Sequence, residues 1–161
     1  MTRLLAGLRT IVYVAAFALF WGWLAVNARR YDAALGSPLP PWLGPLGVVC
    51  IALGAVLVGT CVVLFVARGR GTPAPFDPPR QFVAAGPYRL VRNPMYVGGV
   101  LVLGGIGMWQ RSPGILLLAL VGMLAAHLFV TLVEEPGLAR RFGDGYRECT
   151  RTVRRWLPKW P

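Results

Sequence analysis

Two groups of polar residues interrupt an otherwise apolar chain. The first is Arg89, Arg92, Asn93 and Tyr96, set among the turn formers Gly86-Pro87 and Pro94. The second is Glu134-Glu135. An arginine there can fork onto a carboxylate. A tyrosine ring can face a cation. Adjacent carboxylates can balance positive charge, accept from hydroxyls or take a proton. His127, Thr131 and Glu134 stand at i, i+4 and i+7, which is one face of a helix, with Glu135 close by. Ionisable groups within apolar segments are costly and face a cavity or a partner. The plainer alternative puts Glu134 and Glu135 in headgroup water, paired with Arg140 or Arg141, and makes His127 a hydrogen-bonded packing residue.

Other chemistries are excluded or weakened. The chain has a single histidine, so a bis-histidine haem within one chain is impossible. Cys50, Cys61 and Cys149 have no metal or redox spacing, so no metal site is expected, and Cys50 and Cys61 read as small packers along one helix. No Lys-Ser/Thr follows the glycines and no strand leads in, so this is not a phosphate-cradling loop. Gly104, Gly105 and Gly107 suit close helix packing. Gly98 and Gly99 could instead leave room for a cofactor at the helix mouth.

The elements that must position these groups are apolar spans. Of 161 residues, 56% are hydrophobic and 14% charged. The mean hydropathy is +0.58. This is the composition of an all-α, polytopic membrane bundle forming one domain over 1–161. Four spans fit: about Thr10 to Val26, Leu46 to Ala67, Tyr96 to Gln110, and Gly114 to Val133. The third is short against the ~20 residues a crossing needs. Arg111-Ser112-Pro113-Gly114 is a tight turn, so the last two spans form an antiparallel hairpin. The N-terminal span resembles a signal peptide but lacks a small-residue cleavage site, and reads as a retained helix.

Charge orients the bundle. The net charge is +11. Arg3, Arg9, Arg68, Arg70, Arg80, Arg89, Arg92 and the tail cations fall on one side; Arg29, Arg30 and Arg111 fall on the other. The positive-inside rule puts both termini and the polar clusters in the cytoplasm. Because the cations flank helices, anionic lipids are the expected partner and nucleic acid is not. The proline-rich stretch Arg68 to Met95 predicts an ordered loop folded onto the helix ends. Arg140 to Pro161 reads as an interfacial segment anchored by Trp156 and Trp160.

The motifs resemble a known family. Gly86-Pro87-Tyr88-x-x-x-Arg92-Asn93-Pro94-x-Tyr96-x-Gly98 and Glu134-Glu135-Pro136-x-Leu138-x-x-x-Phe142-Gly143-x-x-Tyr146 are similar to the signatures of the isoprenylcysteine carboxyl methyltransferase and phospholipid methyltransferase group. Gly71-Thr72-Pro73-Ala74-Pro75 looks like the lead-in of bacterial members, which implies an inner-membrane location. The match covers about 71–158. Asn93 stands where many relatives have histidine, Cys149 where a second tail tyrosine occurs, and Arg154 where a proline precedes the Arg155-Trp156 pair.

The resemblance implies S-adenosylmethionine as methyl donor and a lipophilic acceptor entering from the bilayer. It assigns cofactor binding to Arg92, Asn93, Pro94, Tyr96, Gly98, Glu134, Glu135 and Tyr146. Arg92, Glu134, Glu135 and His127 are the catalytic candidates. Carboxylate O-methylation of the isoprenylcysteine type is the leading expectation, with phospholipid or amine N-methylation as the alternative. A small four-helix transporter or an inactive lipid-binding relative are the readings of another class. The oligomeric state is left open.

Overall fold

Large apolar side chains point outward along the helical stretches 7–35, 43–67 and 113–133. Ile11, Leu19, Val56, Leu120 and Leu132 are all exposed. The computed structural model describes residues 3–36, 39–69 and 85–158. Among them, α1 is Arg3–Ala28, α2 is Leu43–Leu64, α3 is Pro94–Trp109, α4 is Pro113–Phe129 and α5 is Glu135–Thr152. Wide turns extend α2 over Phe65–Gly69 and α4 over Val130–Glu134. Three helical stretches are long and apolar enough to cross a membrane, and α3, with 16 residues, is the short apolar fourth. An outward apolar surface on such helices is a lipid-facing one. The chain is an integral membrane protein. The lead-in Gly71 to Pro75, most of the proline-rich stretch, and Trp160 lie outside the described residues.

Local sequence sets the helix ends. Asn93 precedes a proline and is non-helical, with φ −124°. Helix α3 therefore starts at Pro94, two residues before Tyr96, with the ring at a position where no N–H is needed. Ser112 caps α4, its Oγ accepting from the Ile115 N–H at 3.2 Å. Asp32 Oδ1 accepts from both Ser112 Oγ and the Gly114 N–H at 2.8 Å, joining the end of α1 to the hairpin turn. Arg111 takes a left-handed φ of 55° in that turn, and its Nε donates to the Leu39 carbonyl at 2.7 Å.

Helices α2 and α3 pack backbone to backbone. Gly47, Gly54 and Cys61 are buried at seven-residue intervals on α2, with Gly54 against Gly98 and Gly47 against Gly105 on α3. A Cβ at Gly54 would sit 2.6 Å from the Gly98 carbonyl oxygen, and one at Gly105 would sit 2.7 Å from that of Gly47. Lipid gives helices no hydrophobic drive to associate, so close approach through small residues holds the pair. Gly107 packs on Leu116 across the hairpin, while Gly99 and Gly104 meet nothing within 4 Å. Gly98 therefore serves helix contact; of the two glycines at the mouth, only Gly99 faces open space.

The packing sorts the helix ends into two sets. Ala28, Asp32, Trp109 and Pro113 gather at one end. Leu64, Gly86, Asn93 and Glu134 gather at the other, with the C-terminal segment.

Candidate active site

A strand-like contact builds the polar end. Val91 pairs with Arg154 in a short parallel bridge. The Arg92 N–H donates to the Arg154 carbonyl at 2.9 Å, and the Asn93 N–H to the Arg155 carbonyl at 3.3 Å. The Asn93 side-chain amide adds a bond to the same Arg155 oxygen at 3.4 Å. Asn93 and Pro94 are both buried. Asn93 ties the C-terminal segment down, and Pro94 fixes the start of α3.

This strap brings two unforeseen residues into the site. Arg155 Nε and Nη2 donate to Glu135 Oε1 and Oε2 at 2.7 and 2.9 Å. Arg92 Nη1 lies 3.2 Å from Glu135 Oε1. Glu135 pairs with these two guanidiniums, not with Arg140 or Arg141. Its carboxylate holds the Arg155 guanidinium more firmly in the charged form than usual. Trp156 turns inward: its Nε1–H donates to His127 Nδ1 at 3.1 Å, and its ring meets Tyr96 edge-on with centroids 6.3 Å apart. The expected interfacial anchor is instead part of the site. The Arg155-Trp156 pair in the tail motif was the available signal for both residues.

The two glutamates have different surroundings. The Tyr96 hydroxyl donates to Glu134 Oε2 at 2.9 Å. Among the described residues no cation comes within ion-pair distance of Glu134, whereas Glu135 has two. One carboxyl group is paired with two guanidiniums, and its neighbour has a tyrosine hydroxyl as its hydrogen-bond donor and no cation among the described residues. The wide turn at Val130–Glu134, closed by the Glu135 N–H on the Val130 carbonyl, separates them. Such turns insert an extra residue and re-aim the side chains beyond it.

The remaining candidates divide. Thr131 hydrogen-bonds back to the His127 carbonyl and does not join the polar stripe. An indole N–H can only donate, so His127 Nδ1 is an acceptor and the imidazole proton sits on Nε2. In this arrangement the Nδ1 lone pair of His127 is taken up by the indole. Tyr146 is buried and takes a hydrogen bond from Arg92. It reaches there because Gly143, at φ 53° and ψ −127°, kinks α5 in a conformation open to glycine. Arg92 Nε is buried with no partner among the described residues. Tyr88 closes the neighbouring wall, its hydroxyl on Cys61 and its ring edge-on to Phe65, and burial pushes its phenol well above the usual range.

A family model for phospholipid methyltransferases matches residues 43–145. The chain belongs to the phospholipid methyltransferase family. The match runs from the start of α2 through both glutamates to just short of Tyr146. A phosphatidylethanolamine N-methyltransferase of Chaetomium globosum is 27% identical over 157 residues, covering 93% of this chain. Proteins of the same name from Pyrenophora tritici-repentis and Neurospora crassa are 32% and 33% identical over 87 and 86 residues, each match covering 52% of this chain. The aligned parts make up 16%, 10% and 9% of those three relatives, so the chain corresponds to a small portion of each. No solved structure matches. Within the group named from the sequence, these similarities favour the phospholipid N-methylating branch over the isoprenylcysteine O-methylating one.

Proposed function

We propose that this protein is an S-adenosylmethionine-dependent methyltransferase that N-methylates the amine headgroup of a phospholipid. The observation that carries the reading is the uncompensated carboxylate of Glu134 beside the doubly paired Glu135. A site so built favours a cationic ligand, and both the sulfonium donor and a phospholipid ammonium are cations. The names of the relatives supply the acceptor class.

The residues fit the donor. Glu134 can balance positive charge or accept from hydroxyls, with Tyr96 holding its carboxylate in place. The buried, unpartnered Nε–H of Arg92 suits an anionic group such as an amino-acid carboxylate. When bound, S-adenosylmethionine supplies an electrophilic methyl group. The chain's own work is positioning, exclusion of water and proton management. A phospholipid ammonium has no lone pair until it loses a proton, so a base is needed, and the glutamates at this end are its candidates. A carboxylate acceptor would need no base.

By the positive-inside rule the Glu134 end faces the cytoplasm, and the acceptor reaches it from the adjoining leaflet. The test supplies labelled methyl donor to protein in nanodiscs holding phosphatidylethanolamine, and separately to protein with a prenylated cysteine analogue. Label in mono- and dimethylated phosphatidylethanolamine supports the reading. Label in the prenylcysteine ester alone contradicts it.

A further inference from the structure

At the end of the bundle opposite Glu134, a groove of about 600 Å³ opens between the end of α1 and the end of α3. Its walls are apolar, from Ala25 and Val26 on one side and Ile106 and Ile115 on the other. Arg29 and Arg30 line its mouth, exposed and without an ion pair among the described residues. Asp32, the acid nearest in sequence, is occupied by Ser112 and Gly114. Gln110 also lines the groove, and its Oε1 is buried with no hydrogen-bond donor.

We infer that this groove is a binding site for one anionic glycerophospholipid of the leaflet opposite the active site. The apolar walls match an acyl chain, and the two arginines match a headgroup phosphate. Phosphatidylglycerol carries one such phosphate and no cation. With two cations and no available acid, the mouth selects against a headgroup bearing its own positive charge. A lipid seated there bridges α1 to α3. The site shares no residue with the Glu134 cluster and does not depend on the methyl-transfer reading.

The test is native mass spectrometry of the full chain in detergent, titrated with phosphatidylglycerol, with phosphatidylcholine and with inorganic phosphate. Three variants accompany the wild type. Arg29→Gln/Arg30→Gln removes the charge. Gly22→Leu fills the groove: a Cβ at Gly22, which lines it, meets nothing within 4 Å, and leucine is the better helix former, so this variant keeps its fold. Arg140→Gln/Arg141→Gln removes equal charge elsewhere. The expected result is one tightly held phosphatidylglycerol per chain. Its affinity falls about tenfold in each of the first two variants, a loss of one charge-assisted contact or of the acyl seat. It is unchanged in the third, and phosphatidylcholine and phosphate bind at least tenfold more weakly than phosphatidylglycerol. Equal binding of both lipids, equal binding by phosphate alone, or phosphatidylglycerol affinity untouched by Gly22→Leu would overturn the proposal.

Discussion

Trp156 and His127, 29 residues apart in sequence, are joined by a 3.1 Å hydrogen bond from the indole to Nδ1. The bond fixes which imidazole nitrogen carries the proton. It also fixes the C-terminal strap over the polar end of the bundle. Because His127 is the single histidine, its tautomer can be read without assignment. In protein labelled with nitrogen-15 histidine, Nδ1 should give an unprotonated signal and Nε2 a protonated one. Trp156→Phe should replace that with a mixture of tautomers. An unchanged spectrum in the variant would mean the bond does not set the tautomer.

The double clamp on Glu135 makes a stability prediction. Glu135 and its two arginines are mostly buried, with side-chain exposures of 16%, 13% and 27% for Glu135, Arg92 and Arg155. Removing one charged donor from such a carboxylate costs about 2–3 kcal/mol. Arg155→Gln should lower the thermal midpoint by several degrees in detergent. Arg147→Gln breaks only an exposed pair with Asp144 and should cost about 0.5 kcal/mol or less. Equal midpoints for the two variants would contradict the clamp.

Gly143 offers a backbone test. Its φ of 53° with ψ −127° is strained for any residue with a Cβ. Gly143→Ala should destabilise by about 1–3 kcal/mol. It should also expose Tyr146, seen as increased phenol accessibility to a water-soluble quencher. Gly145→Ala, where a Cβ meets nothing within 4 Å, should be neutral or mildly stabilising.

The sequence showed the spans because apolar length alone defines them, and it showed the hairpin because Ser112-Pro113 is a local stop and start. That Tyr96, Arg92 and Glu135 find polar partners was legible because charge and hydroxyls within apolar surroundings need them. The strap was not legible. Its hydrogen bonds run from Arg92 and Asn93 to Arg154 and Arg155, across 62 residues, and no local period predicts a single bridge. Trp156 looked like an interfacial anchor because a tryptophan in a basic tail has that use by default. The helical wheel grouped Thr131 with Glu134, but the wide turn at Val130–Glu134 breaks the spacing on which the wheel depends. Gly98 was ambiguous because a glycine that makes room for a helix and one that makes room for a ligand look alike until the neighbour is known.

The central claim is that Glu134 holds the positive charge of the methyl donor, and calorimetric titration of S-adenosylmethionine into purified protein in nanodiscs tests it most directly. The wild type should bind. Glu134→Gln, which keeps the shape and the Tyr96 partner, should weaken binding about tenfold or more while leaving the thermal midpoint near that of the wild type. Folded wild-type protein that does not bind, or a Glu134→Gln variant that binds as tightly as the wild type, would contradict the account.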